Sequence, residues 1–332
     1  MLVRLSSAVP AGSLVHALPA ELPRSIDAGL ELARDLGGRS EGPGDGATTD
    51  LWEALATVAA TDLGAARVVE PHLDAVAILR QAGESRPVGA WGVFAAEGGD
   101  APLIATAEAA GVTLTGTKPW CSLADRLDGA LVTAASADGT RGLYAVSLRD
   151  PGVEVIPGAW HARGLSELPS GPVRFADVAA TPVGEPGWYL TRPGFEWGGI
   201  GVAACWFGGA VGIARAVHAA ARARPNPFLL MHLGAIDRGL ADARRALAEA
   251  ASLVDARRGG ERILAKRVRA TVAAVAEDVI ARAGHALGPA PLALDAEHAK
   301  RVADLTLYIR QHHAERDLES LGSALAEEST PW

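Results

Sequence analysis

GVTLTGTKPWCSLADRLDGALVTA, residues 111–134, alternates β-branched with small residues up to Lys118, is interrupted at Pro119, and resumes as an apolar run from Gly129. Short runs of this kind, broken by Gly, Pro and Asp, read as strands of a sheet. Outward from this stretch the same texture holds, with VGAWGVFAAE (88–97) before it and GLYAVSL (142–148), VEVIP (153–157) and PVRFADV (172–178) after it. With VTLTGTKPWCS (112–122) and GALVTAA (129–135) these are candidate strands at roughly ten-residue spacing, which predicts a compact antiparallel sheet or barrel.

Both flanks have a different period. Residues 14–80 carry alanine and leucine stripes at helical spacing, interrupted by the loop GGRSEGPGDGATTD (37–50). Asp50 is placed to cap the next helix, and Pro71 to begin another. From about residue 194 the helical period returns. Residues 236–260, 261–288 and 295–322 are each long, amphipathic and closed by glycine, the usual residue after a helix end. The predicted order is therefore helices, a β-domain, then a helical bundle, an α+β architecture.

With 332 residues, 49% hydrophobic and 21% charged, the chain can bury a large core and is not a disordered or fibrous one. Its 31 Lys and Arg against 39 Asp and Glu leave a net charge of −8, which argues against nucleic acid or an anionic membrane as partner. A small molecule is the default. Cys121 and Cys205 lie far apart in apolar settings with no CxxC spacing, as expected of reduced thiols; no metal site is predicted. The N-terminal stretch has Pro10, Pro19 and Pro23 and no sustained apolar run, so the expected location is cytoplasmic. The uncharged run from Trp197 to Ala214 approaches the length of a membrane span, but its glycines and the bracketing Glu196 and Arg215 favour a buried helix whose neighbours pack closely. No GxGxxG or phosphate-loop pattern follows a strand.

The stretch at 111–134 resembles the middle-domain signature of the acyl-CoA dehydrogenase family, with Gly116, Thr117 and Lys118 in a turn, then Trp120, then a hydroxyl residue, Ser122, two positions on. The resemblance implies that Trp120 lies against a flavin ring while Ser122 reaches toward N5 and O4. On a continued strand the two side chains would share one face, so both could address a planar ring. Upstream, GVFAAEGGDAPL (92–103) is similar to the family's strand ending in Thr-Glu-Pro and a Gly-Ser-Asp turn, with Ala96 where the Thr would stand, then Glu97 and Asp100. At Ala96 only backbone groups are left to meet the flavin. Downstream, Phe175, Asp177, Val178 and Pro182 match the family's closing strand. The resemblance covers most of residues 50–315.

It implies an acyl-CoA dehydrogenase-like fold, with an N-terminal helical domain over 1–87, a central antiparallel β-domain over 88–190 and a C-terminal four-helix bundle over 191–332. It also implies a homodimer or homotetramer, FAD as cofactor with FMN as the alternative, and α,β-dehydrogenation of an acyl thioester, with an electron-transfer protein or oxygen as the next acceptor. A flavin monooxygenase of the same fold, or a scaffold that has lost turnover, are the alternatives. The family's Arg-x-x-Phe-Gly turn has only Arg222, Arg224 and Phe228 loosely placed, and its pyrophosphate-binding glycines are reduced to Gly288 followed by Pro289.

Dehydrogenation needs a carboxylate base. At the family's helix position for it stands Val202, and the Glu-Gly turn near the C-terminus has no match. Two substitutes present themselves. The last helix carries His312 and His313 within RQHHAERD, resembling the flavin monooxygenase branch, where a His near the flavin serves as acid or base. A pairing of His313 with Asp317 at one helical turn is the plainer reading. The other is Glu196, between Phe195 and Trp197 at the head of an apolar helix, where desolvation would raise its pKa.

Overall fold

Helix α2 (Thr48–Thr61) is apolar on nearly every side, and every residue from Leu51 to Ala60 is buried. Such a helix is stable only if covered all round. In the computed structural model, which describes residues 1–6, 13–98, 102–109, 111–258 and 261–329, its principal cover is α5 (Pro193–Ala223). Gly208 and Gly212 make the approach possible. A Cβ at Gly208 would collide with the Ala56 carbonyl oxygen, and one at Gly212 would lie 2.8 Å from that of Ala60. The most apolar stretch of α5 has a mean hydropathy of 1.6 and is 72% buried within the fold, as expected of a core helix that meets the length requirement for a membrane span.

Before α2 comes α1 (Ile26–Gly37), and after it α3 (Leu63–Gln81). The predicted caps are corrected. α2 begins two residues before Asp50, and its Thr48 N–H is taken by Asp255 at 3.1 Å, while Asp50 accepts the Leu14 and Val15 N–H groups. Pro71 starts no helix; it lies inside α3. The break falls at Asp62, whose carboxylate caps Ala65 N–H at 2.9 Å. Pro71 removes one donor, a loss that burial of Val68, Val69, Leu73 and Val76 around it offsets.

Seven strands form the sheet: β1 (Trp91–Phe94), β2 (Ile104–Glu108), β3 (Gly111–Lys118), β4 (Gly129–Ala135), β5 (Arg141–Ser147), β6 (Val153–Val155) and β7 (Val173–Pro182). β4, β2, β3, β7 and β5 pair in that order and β5 returns to β4, so the sheet closes on itself. Closure leaves few open edges. Two differences from expectation stand out. The sheet is mixed rather than wholly antiparallel, because β1 runs parallel to β4 from Trp91 opposite Gly129, and β2 was absent from the predicted strands. β3 ends at Lys118, so Trp120 and Ser122 lie in the loop beyond it.

A short α4 (Trp188–Thr191) leads into α5, followed by α6 (Pro227–Asp255), α7 (Glu261–Leu287), α8 (Pro289–Leu294), α9 (Ala296–Tyr308) and α10 (Glu315–Ala326). α5, α6, α7 and α9 form the bundle, and α10 lies on α7. One main hydrophobic core runs from α1–α3 through the sheet into this bundle. The predicted single helix over 295–322 is broken at its middle: a tight turn (Ile309–Gln311) gives way to extended backbone at His312, and Ala314 takes φ +45°. Asp317 accepts the freed His313 N–H at 3.1 Å. Lys300 on α9 fastens distant segments, with its ammonium 2.6 Å from Asp304 and Glu167 and 3.1 Å from Asp62. Arg301 donates to the Thr61 carbonyl, 240 residues away in sequence. Cys121 and Cys205 are buried free thiols.

Candidate active site

Where α3 and α5 meet α7 and the break between α9 and α10, a cavity of about 420 Å³ opens. α3 contributes Glu70 and Asp74, one helical turn apart and so on one face. α5 contributes Glu196 from its first turn, and glycines that keep the wall low: a Cβ at Gly198 would stand 3.1 Å from Asp74 Oδ1. Lys266 and Arg269 come from α7, Arg192 from the residue preceding α5, and His312, His313 and Asp317 from the helix break. The wall is charged.

The cations are held by the protein itself. Arg269 donates to the Gly199 carbonyl at 2.7 Å and the Gln311 carbonyl at 2.8 Å, and lies 4.7 Å over the Trp206 ring. Arg192, 5% exposed, donates to Gln81 Oε1 at 2.6 Å and lies over Tyr189. Lys266 donates to Ser320 at 2.8 Å. The carboxylates are less well provided. Glu70, 7% exposed, meets the Arg67 guanidinium at 3.4 Å, and burial pushes its carboxyl up to about 7 against the attraction of Arg67 and Arg269. Asp74 meets Arg192 at 3.6 Å, and burial raises its pKa as well.

His312 is buried, and among the described residues its Nε2 has no hydrogen-bond partner; an Asp317 carboxylate oxygen is 3.9 Å off. Burial lowers its pKa, outweighing Asp317. His313 is the exposed member, with Nδ1 3.4 Å from Asp317. The structure thus brings Glu196, His312 and His313 to one cavity, and Arg269 feels the charges of Asp317, Glu196 and Glu70 together.

Trp120, Ser122 and Ala96 stand elsewhere, at the end of the sheet. The strand spacing that would have put Trp120 and Ser122 on one face does not apply. Trp120 takes φ +60° in the loop, which turns its ring outward, 59% exposed. Ser122 turns inward: its hydroxyl lies 2.7 Å from Ser170 Oγ and accepts from Arg67 Nη2 at 3.2 Å. Ala96 is exposed in the loop after β1, and the adjoining Glu97 is 3.2 Å from the buried Lys118 ammonium. Asp100 lies outside the described residues. Gly288, at φ +69°, joins α7 to α8 about 28 Å along α7 from Arg269. Arg222 and Arg224 sit at the α5–α6 junction, and Phe228 at the start of α6 is 77% exposed.

Arg67, Glu70, Asp74, Arg192, Arg269 and Tyr308 were not among the sequence candidates. A signal for three of them existed, since Arg67, Glu70 and Asp74 recur at spacings of three and four in an otherwise apolar helix, a polar stripe inside the core. Tyr308 joins them through the Arg67 guanidinium, 5.1 Å over its ring.

Helices before and after a closed sheet make an acyl-CoA dehydrogenase-like fold, as the likeness to solved structures shows. The chain is similar to KijD3 in complex with FMN and dTDP-3-amino-2,3,6-trideoxy-4-keto-3-methyl-D-glucose, at 19% identity and TM-score 0.77 over 91% of this chain and 86% of that one. TdsC from Paenibacillus sp. A11-2, with FMN and indole, matches at 17% identity and TM-score 0.76 over 92% and 90%. Butyryl-CoA dehydrogenase from Megasphaera elsdenii matches at 17% identity and TM-score 0.77 over 93% and 100%. No protein-family model matches the chain, and no curated protein matches it in sequence. At these identities the likeness establishes the fold.

Proposed function

We propose that the protein is a flavin-dependent oxidoreductase, of the monooxygenase kind, acting on a small polar molecule held in the cavity between α3, α5 and α7. The observation that carries this reading is that Glu70, whose carboxyl burial pushes up to about 7, and the buried His312 line that one cavity. KijD3 and TdsC, similar in fold, are both described with FMN, and TdsC as a dibenzothiophene monooxygenase.

The residues at the sheet end fit a flavin ring. Trp120 presents an open aromatic face, and an ideal Cβ at Gly98 would be 4.0 Å from Pro119, so the loops after β1 and β3 border one ledge. Among the described residues of this chain, Gly288 stands open at the far end of α7 and offers the adenylate half of FAD no comparable support. FMN is therefore the better fit. Bound there, it would supply electron storage and the activation of oxygen. Arg67 orients the neighbourhood by holding Ser122 on one side and Glu70 on the other. Glu70 and His312 take or return the substrate's proton at the cavity wall.

Titration with FMN should induce a bound-flavin visible spectrum and, with reduced FMN and air, substrate-dependent oxygen uptake. Protein that binds neither FMN nor FAD would overturn the reading. A second reading, α,β-dehydrogenation of an acyl thioester with an electron-transfer protein as acceptor, is favoured by Glu70 alone, a carboxylate with a raised pKa. Anaerobic bleaching of bound flavin by butyryl-CoA would establish it. Self-association through the bundle is proposed for either.

A further inference from the structure

We infer that Lys118 is a positioning residue for the flavin, a buried pin that holds the two loops bordering the ledge at a fixed separation. This assignment rests on the flavin reading above, and names the residues of this chain that set the shape of the surface on which FMN would lie.

Lys118 closes β3 and is 3% exposed. An ammonium is among the costliest groups to bury, and desolvation lowers its pKa against the pull of Glu97. Its bonds explain the placement. Nζ donates to Thr133 Oγ1 at 2.8 Å and to Glu97 Oε1 at 3.2 Å. The Thr133 hydroxyl donates to the same Glu97 oxygen at 3.1 Å, and an Arg141 nitrogen lies 3.3 Å from it. One carboxylate oxygen in the loop after β1 thus gathers donors from β3, β4 and β5, and that loop is drawn over the end of the sheet.

The backbone of Lys118 secures the other loop. Its carbonyl accepts from Cys121 Sγ at 3.3 Å, while the Cys121 N–H goes to the Gly171 carbonyl at 3.0 Å and the Leu123 N–H to that of Pro169 at 2.9 Å. Trp120 stands between these ties. A shift of Glu97 relative to Lys118 therefore changes the spacing of the ledge where Gly98 faces Pro119.

Stability does not require the ammonium. A methionine of similar length would avoid the desolvation cost, Thr133 would keep its bond to Glu97, and Glu97, 47% exposed, would retain Arg141 and water. A buried charge that the fold can do without, bonded to one loop of the ledge and rooted in the other, is accounted for by what the ledge holds.

The test is fluorescence titration with FMN of wild type, Lys118→Met, Glu97→Ala and the double variant, each checked by thermal unfolding. Glu97→Ala should weaken FMN about tenfold and Lys118→Met about fivefold, and the double variant should lie within about twofold of Glu97→Ala, because both substitutions release the same loop. The thermal midpoint of Lys118→Met should stay within about 3 °C of wild type or rise. At saturating FMN, quenching of the flavin emission by the Trp120 indole should be weaker in the variants, a signature that lost stability alone does not give. Unchanged affinity and quenching in the variants, or multiplied losses in the double variant, overturn the inference. A Lys118→Met protein that fails to fold also overturns it, since the lysine is then structural. Wild type that binds no flavin overturns it together with the flavin reading, whereas variants that bind like a flavin-binding wild type overturn the inference alone.

Discussion

Arg67 Nη2 donates to Ser122 Oγ at 3.2 Å, across 55 residues of sequence, and so ties the loop bearing Trp120 to the wall bearing Glu70. The same guanidinium is the counter-ion of Glu70 at 3.4 Å. Replacing Arg67 by Met would strand a buried carboxylate, a loss of about 3–5 kcal/mol for such pairs. Adding Glu70→Gln to Arg67→Met should recover a large part of it. Thermal unfolding of the two single variants and the double variant tests this coupling, and additive losses would count against it.

Glu70 takes up a proton on folding near neutral pH. Its folded pKa is raised from 4.5 to about 7, so its linked stabilisation is fully present below the unfolded value and disappears as pH rises through the folded one. His72 has the opposite sign: burial lowers it from 6.5 to about 4, so its contribution is present above the unfolded value and is lost as pH falls through about 4. Comparison of wild type with Glu70→Gln isolates the first effect. The wild type should lose on the order of 2 kcal/mol or more relative to the variant between about pH 5 and pH 8. Parallel stability profiles would refute the raised pKa.

Trp120 combines high exposure with left-handed backbone, φ +60°. Gly tolerates that conformation better, so Trp120→Gly should leave stability unchanged or raise it by about 1 kcal/mol. The affinity for FMN should nevertheless fall about tenfold, as read by fluorescence titration. Unchanged affinity would remove Trp120 from the flavin surface.

Two glycines within helices should respond in opposite directions to alanine. At Gly208 the added methyl meets the Ala56 backbone and must push α2 from α5, a cost of about 2–4 kcal/mol. At Gly234, exposed on α6 with nothing within 4 Å of a new Cβ, helix propensity alone acts and predicts a gain of about 1 kcal/mol. Denaturant midpoints distinguish the two.

Much of the architecture was legible because it depends on local pattern. The period-two runs at 91–94, 129–135 and 141–147 became strands, and the apolar run beginning at Trp197 became the core of α5. The break at His312–Ala314 was not legible, because Gln311, Ala314, Glu315 and Arg316 are all sound helix formers and tertiary contacts impose the turn. In the site, Glu196, His312 and His313 could be found as polar residues beside apolar ones. Glu70 and Asp74 were hidden in a helix that reads as buried, and their approach to α7 and α9 is set by packing across the bundle. Gly116 matched a familiar turn, while the sign that the strand would stop before Trp120 was Pro119, which interrupts the alternating run.

The bond from Arg301 to the Thr61 carbonyl and the seating of α2 on α5 join the first third of the chain to its last. During synthesis α2 emerges long before its cover exists, with Trp52, Leu55 and Val58 bare. Loop closure on that scale is slow. The nascent N-terminal helices should therefore be a holding site for chaperones, and soluble yield should respond more strongly to chaperone supply and growth temperature than to the final stability of the folded protein.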